Sequence, residues 1–101
     1  MTEELYSKLR KFSVLAKKMF TPHAQVILFG SFAKGRNKEW SDIDVVVITP
    51  QVNDRIREEI SLRLKSLEID ERINPFIFTR KEMQENSPFI WEIKKYGKKL
   101  F

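Results

Sequence analysis

The chain has 101 residues, 42% of them hydrophobic and 33% charged, which indicates one small globular domain spanning residues 1–101. It contains no cysteine, a single histidine (His23) and no apolar run near the ~20 residues of a membrane span, so disulfides, thiolate or histidine-rich metal centres and membrane insertion are excluded. The net charge of +5 is compatible with a nucleotide, nucleic acid or acidic protein partner, although a lysine-rich solvated surface is the commoner explanation of a small excess.

The first predicted element is a helix over residues 3–20. Apolar side chains follow a helical spacing there, and Thr2 is a candidate N-cap ahead of the acidic pair Glu3 and Glu4. Thr21-Pro22 ends the helix. The acidic start is unlike a secretory signal, so we expect a cytoplasmic protein.

Two strands and a loop come next. Residues 25–29 form a short apolar strand that stops at Gly30, and residues 31–34 can form a helical turn. Residues 35–40 are a polar loop. Residues 43–48 are almost all β-branched, which predicts a central strand covered on both faces.

A second amphipathic helix is marked by apolar residues at helical spacing, namely Val52, Ile56, Ile60, Leu64 and Leu67. Residues 72–78 predict a third strand, and Pro75 within it favours an edge position or a bulge. Residues 79–85 predict a helical turn.

Ser87 and Pro88 open the last helix as N-cap and first helical residue. Its inward residues are predicted to be Phe89, Ile90 and Ile93; Gly97 ends it, and residues 98–101 form a short tail. Trp91 and Tyr96 crowd the same helix, so some of its aromatic residues either form a partner surface or are covered by the tail. The order α-β-(α)-β-α-β-α predicts a small α+β (α/β) fold with a mixed sheet packed by helices.

Gly30 and Ser31 form the first half of the candidate site. A glycine between a strand and a helical turn permits close backbone approach, the following amides attract anions, and the Ser31 hydroxyl can bind a phosphate oxygen. By itself this pair is better explained as an ordinary turn.

Asp42 and Asp44 form the second half. Residues at i and i+2 of a strand project from the same face, about 7 Å apart, and the charges stand at the start of an apolar strand. Buried charges are costly unless they are compensated, which favours a divalent cation between the two carboxylates. The alternative is that Asp42 caps the turn and only Asp44 points inward.

The glycine-serine turn followed 11 residues later by the paired aspartates resembles the signature of the polymerase β-like nucleotidyltransferases. The resemblance is sharpest from Leu28 to Ile48, and the length of the whole chain resembles the minimal nucleotidyltransferase domains. It implies that Gly30 and Ser31 hold the β- and γ-phosphates of a nucleoside triphosphate, most simply ATP. Asp42 and Asp44 are then the catalytic residues and the ligands of two Mg²⁺ ions, and a nucleoside monophosphate is transferred to an acceptor hydroxyl.

Other polar residues near the signature are weaker candidates. Lys34 and Arg36 could add positive charge beside the phosphates, and are equally well explained as solvated loop residues. Ser41 is expected to serve the turn. Trp40 could stack on a base, although packing on its neighbours is more usual, and His23 is expected at the surface.

The sequence departs from the family pattern at the third acidic position. The resemblance places that position at Asn74, which is uncharged and a poor base. Asp70 and Glu71 lie just upstream and could substitute if Pro75 shifted the register of the strand.

Three functions therefore compete. The first is a Mg²⁺-dependent nucleotidyltransferase; its small relatives pair with a helical HEPN-type protein and act as antitoxins, by masking that partner or adenylylating it. The second is a nucleotide- or partner-binding module weakened at Asn74. Nucleic-acid binding through surface lysines ranks last, because no recognised DNA- or RNA-binding signature accompanies them.

Overall fold

The computed structural model describes all 101 residues. Its elements, in chain order, are α1 (Glu3–Met19), β1 (Gln25–Phe29), α2 (Gly30–Lys34), β2 (Ile43–Thr49), α3 (Arg55–Ser66), β3 (Ile73–Thr79), a 3₁₀ turn (Glu82–Gln84), α4 (Pro88–Tyr96) and β4 (Lys98–Lys99). The expected order of elements and the mixed α+β class are confirmed.

The four strands form one sheet in the order β3-β2-β1-β4. Strand β2 pairs antiparallel with β1 and parallel with β3, and β4 pairs antiparallel with β1. The tail is therefore partly a strand, which two lysines at the end of the chain did not predict. No helix of the fold combines the length and the apolar character that crossing a membrane requires.

Both faces of the sheet are covered, as the β-branched run of β2 predicts. On one face, α1 and α3 bury a cluster that includes Leu9, Phe12 and Leu62. On the other face, α4 covers a smaller cluster in which Phe29 and Phe89 stack edge to face, with ring centroids 5.3 Å apart. The fold thus places residues 44, 46 and 48 of β2 beneath α4.

The helix ends match their sequence signals. Thr2 accepts a hydrogen bond from the Leu5 amide at 3.1 Å, and Ser87 accepts one from the Ile90 amide at 3.1 Å ahead of α4. These caps satisfy amides that have no partner within the helix. The tail does not cover Trp91 of α4. Phe101 packs against Tyr6 on α1 instead, and Trp91 stays 57% exposed.

Helix α3 lies in an unexpected orientation. An apolar stripe normally faces the core, yet the side chains that mark this stripe are largely exposed: Ile56 73%, Ile60 53% and Leu64 60% on α3, and Leu67 50% at its C-cap. Only Leu62 and Ser66 of this helix are buried. The predicted second helix is therefore present, although Val52 precedes it and its apolar side faces away from the core.

The polar side of α3 faces the sheet because β3 is an edge strand with unpaired backbone groups. Glu59 accepts a hydrogen bond from the Ile77 amide at 2.8 Å, and Arg55 donates through Nε to the Ile77 carbonyl at 3.1 Å. Two charged side chains one turn apart therefore satisfy an edge residue that no strand pairs with on that side. Hydrogen bonding to the edge strand, and not the apolar spacing, therefore sets which side of α3 faces the sheet.

Candidate active site

Three polar positions meet at one end of the sheet. Asp44 on β2 aligns with Phe29 on β1, which immediately precedes Gly30, and with Asn74 on β3. The antiparallel and parallel pairings thus bring chain positions 30, 44 and 74 side by side. The sequence predicted the first two together, and its resemblance to the family had placed the third position at Asn74.

Gly30 is required by the position of Asp44. Its φ is +70°, in the left-handed region that favours glycine. A Cβ atom at this position would lie 3.2 Å from Cγ of Asp44 and closer still to Oδ2, well inside van der Waals contact. The absence of a side chain at Gly30 is what lets the Asp44 carboxylate rest against the turn.

The other oxygen of Asp44 is held from the opposite side. Asn74 donates through Nδ2 to Oδ1 of Asp44 at 3.0 Å. The amide oxygen of Asn74 in turn accepts a hydrogen bond from Arg63 of α3. This contact fixes which way the amide points, because an arginine can only donate. A chain of contacts from α3 thus orients Asp44.

The two aspartates differ in their surroundings. Asp44 is half-buried, and burial raises its pKa above the usual range, opposed by the hydrogen bond from Asn74 and reinforced by the negative charges of Asp42 and Glu92. Asp42 is exposed. A cation bound at Asp44 would offset the repulsion among these negative charges, because a nearby positive charge favours the ionised form of a carboxyl group.

The alternative sources of a third carboxylate do not reach the site. The pairing of β2 with β3 runs without interruption through Pro75, which sits opposite Val45, so the bulge that would shift the register is absent. Asp70 is instead bound by Arg72 through Nε at 3.0 Å and by Lys8 at 2.9 Å. Asn74 therefore occupies the third position.

The basic candidates behave differently from each other. Lys34 forms an ion pair with Glu92 of α4, and its ammonium lies 4.8 Å from the centre of the Tyr96 ring. Arg36 is exposed and forms no salt bridge in the structure. Arg36 is accordingly the freer of the two for a phosphate group.

The remaining candidates lie at the periphery. Ser31 is the second residue of α2, and its hydroxyl makes no hydrogen bond within the chain. Ser41 accepts from the Lys38 amide at 2.8 Å and so serves the turn, as expected. Trp40 is 75% exposed and lies beside Lys38, 5.7 Å from its ammonium to the ring centre, instead of packing into the fold. His23 is exposed, as predicted.

A cavity of about 560 Å³ borders the loop after Ser31 but contains none of the candidate site residues; the start of α1, Phe32 and Arg72 line it among others. Of its three cationic side chains, Lys98 belongs to the exposed strand β4, and Lys8 and Arg72 are both bound to Asp70. Because their charge is already compensated, this cavity is a weaker phosphate site than the turn at Gly30.

The site offers two carboxylates, Asp42 and Asp44, as ligands for Mg²⁺. No three histidine, cysteine, aspartate or glutamate side chains converge anywhere in the fold. Mg²⁺ in nucleotide enzymes is usually bound by one or two carboxylates together with substrate phosphates and water. Asp42 and Asp44 fit that mode, in which the nucleotide brings the remaining ligands with it.

Arg63 and Glu92 are the site residues that the sequence did not indicate. Arg63 is 11 positions from its partner Asn74, and Glu92 is 58 positions from Lys34. A signal for Arg63 did exist, since Arg55, Glu59 and Arg63 repeat every four residues along the sheet-facing side of α3. We find no comparable signal for Glu92.

Comparison with known sequences gives a consistent family assignment. The family described as "Nucleotidyltransferase domain" matches residues 9–99. A protein of Methanocaldococcus jannaschii named "Putative protein adenylyltransferase MJ0141" is 33% identical over 76 residues, which cover 72% of this chain and 74% of that protein.

Solved structures share the fold at low sequence identity. A chain of a toxin–antitoxin complex with AMP-PNP superposes with a TM-score of 0.64 and 22% identity, over 95% of this chain and 72% of that one. A chain from the complex of tri-AMPylated Shewanella oneidensis HEPN toxin with MNT antitoxin gives a TM-score of 0.56 and 18% identity, over 91% and 71%.

Proposed function

The chain belongs to the nucleotidyltransferase domain family, and from that premise we propose that it transfers AMP from ATP to a hydroxyl group of a HEPN-type partner protein. The observation that carries the proposal is the fixed carboxylate of Asp44, which lies against the Cα of Gly30 and accepts a hydrogen bond from Asn74. Catalysis by positioning depends on such preorganisation.

Each residue of the site has a defined part in the proposed reaction. Gly30 and Ser31 bind the β- and γ-phosphates through the amides of the turn and the free Ser31 hydroxyl, and Arg36 adds positive charge. Asp42 and Asp44 would hold Mg²⁺, which would neutralise charge on the entering and leaving oxygens. The acceptor oxygen bonds to the α-phosphorus as the bond to the β-phosphate oxygen breaks; pyrophosphate leaves and the hydroxyl proton is released to water.

Asn74 limits the rate of this reaction. Its amide cannot take the proton of the acceptor hydroxyl, and its oxygen is already engaged by Arg63. It contributes instead by orienting Asp44. We therefore expect slower turnover than in a site with three carboxylates, because general-base assistance typically contributes about 10²–10⁴-fold.

Two comparisons support a protein acceptor. The M. jannaschii relative carries the name of a protein adenylyltransferase, and a structure of the same fold comes from an AMPylated HEPN toxin bound to its MNT antitoxin. By analogy we propose that this chain is the antitoxin of such a pair.

The test is co-expression of the chain with the HEPN-type protein of its own genome, followed by intact mass measurement of that protein. We expect a mass increase of whole adenylyl groups with the wild type and none with Asp44→Asn at equal expression. An unmodified partner with wild type, despite complex formation, would refute the transferase proposal.

One observation favours a second function. The uncharged Asn74, held by Arg63, is also what a site that has lost turnover would contain. In that case the chain inhibits its partner by docking alone. Inhibition that persists when Asp42 and Asp44 are both changed to asparagine would identify this function.

A further inference from the structure

The exposed side of α3 is a surface that the nucleotide chemistry does not use. We name it the α3 stripe, and it consists of Ile56, Ile60, Leu64 and Leu67, each at least half exposed. The opposite side of the helix is committed to β3 through Arg55 and Glu59, so α3 cannot roll its apolar side into the core. A contiguous apolar row on a folded surface marks an interaction site.

We propose that the α3 stripe is the interface of a two-fold dimer with a second copy of this chain, its two α3 helices packed antiparallel. A two-fold interface requires a surface that is complementary to itself. The spacing of the stripe meets this condition, because its four members are arranged almost symmetrically about Leu62. Antiparallel pairing places Ile56 against Leu67 of the second copy, and Ile60 against Leu64 of the second copy.

The charges beside the stripe select the antiparallel arrangement. Arg57 in α3 and Glu68, two residues past its end at Ser66, lie at opposite ends of the stripe and are both exposed, and helical spacing continued to Glu68 puts them on the same flank. Arg57 has only a 3.8 Å contact to Asp54, and Glu68 makes no salt bridge within the chain. Antiparallel helices bring Arg57 of each copy to Glu68 of the other, whereas in a parallel two-fold pair these flanks lie on opposite sides of the interface and the two charges do not meet.

The size of the stripe sets the expected strength. A stable interface buries about 800 Å² on each partner, more than four side chains of one helix supply. Some interfaces of standard size bind with only micromolar affinity. Because the stripe is smaller than that, we expect the dimer to dissociate with a constant of about micromolar or weaker. The stripe borders Arg63, whose guanidinium contacts Asn74, so the two active sites lie beside the interface.

The first test is sedimentation equilibrium of the full chain over a wide concentration range. We expect the wild type to dimerise and Leu64→Glu to stay monomeric at every concentration. Val14→Glu is the matched control, because Val14 is a 51% exposed apolar residue on α1 outside the stripe. Ile56→Glu, at a 73% exposed position, replaces the Leu64 variant if thermal unfolding shows that the latter is not folded.

The second test uses the charges to fix the geometry. Arg57→Glu and Glu68→Arg should each weaken the dimer by about tenfold or more, since each creates two like-charge contacts. An equimolar mixture of the two variants should regain wild-type affinity, because every contact in the mixed dimer is again between opposite charges. The double variant should dimerise as the wild type does.

Three results would overturn the proposal. A wild type that remains monomeric at millimolar concentration shows that the stripe serves a different partner or none. Equal disruption by Val14→Glu and Leu64→Glu places the contact elsewhere. Charge reversals that change nothing exclude the antiparallel arrangement. None of these results depends on nucleotide transfer.

Discussion

The contact between Gly30 and Asp44 can be tested with a pair of alanine substitutions. Gly30 and Gly35 both have φ of +70°, so Gly30→Ala and Gly35→Ala suffer similar backbone strain. They differ in what the new methyl group meets. At Gly35 it meets nothing within 4 Å, whereas at Gly30 it overlaps the Asp44 carboxylate.

The magnitudes follow from this difference. An L-residue in the left-handed region costs about 1–2 kcal/mol, which both variants lose in unfolding free energy. In Gly30→Ala the Asp44 carboxylate must also retreat by roughly 1 Å to restore normal contact. That shift breaks its 3.0 Å hydrogen bond from Asn74, which adds about 1 kcal/mol. A displacement of this size lowers catalysis by about 10²-fold.

Two assays separate the effects. Urea unfolding should show that Gly30→Ala is less stable than Gly35→Ala by about 1 kcal/mol. Calorimetric titration with Mg²⁺ and α,β-methylene ATP should show a large loss of affinity in Gly30→Ala and near wild-type affinity in Gly35→Ala. The analogue is suitable because transfer breaks the bond between the α- and β-phosphates. Equal nucleotide affinities in the two variants would refute the proposed role of Gly30.

Two further substitutions test the polar contacts around the site. Asn74→Asp removes the hydrogen-bond donor to Asp44 and adds a negative charge, so it should lower the unfolding free energy in EDTA by about 2–3 kcal/mol. Added Mg²⁺ should then stabilise this variant more than it stabilises the wild type. The control is Asn86→Asp, the same chemical change at an exposed position, which should show neither effect. If Mg²⁺ stabilises both variants equally, Asn74 does not face the cation site. Asp70→Asn should cost about 1–3 kcal/mol at pH 7, because the Arg72 guanidinium holds the pKa of the 6% exposed Asp70 carboxyl well below its usual range. Because the pKa of Asp70 is lower in the folded state, its ionised carboxylate stabilises the fold at pH values above the unfolded-state pKa of about 3.9. This contribution is lost as the pH falls through the folded-state pKa, so the denaturation curves of the variant and the wild type should converge in strong acid. The exposed cap change Asp54→Asn should be neutral, and a pH-independent cost at Asp70 would contradict the ion-pair explanation.

Much of the site was accessible from the sequence because its geometry is local. A strand, a glycine and a two-residue alternation are enough to place Gly30 and Asp44 at one end of a sheet. The alignment of Asn74 with Asp44 was also foreseeable from the family pattern. The absence of a bulge at Pro75 was not, because an edge strand tolerates proline without one.

Helix α3 shows why the remainder could not be predicted. Its hydrophobic spacing is regular. The rule that such a stripe faces the core assumes that burying the apolar side chains stabilises the fold more than any contact made by the polar side of the helix. In this fold, Arg55 and Glu59 form hydrogen bonds with the unpaired backbone of β3 instead. Those unpaired backbone groups exist only after the sheet has formed, so the sequence of α3 alone does not reveal them. The strand at Lys98 likewise depends on β1 offering a free edge, not on its own composition.

The most direct test of the proposed nucleotide site is calorimetric titration of the wild type and of Asp44→Asn with α,β-methylene ATP, each with and without Mg²⁺. We predict binding that requires both Mg²⁺ and Asp44, with both proteins folded by circular dichroism. Wild-type binding that is unchanged by EDTA or by loss of the Asp44 carboxylate would contradict a metal–triphosphate site at this end of the sheet.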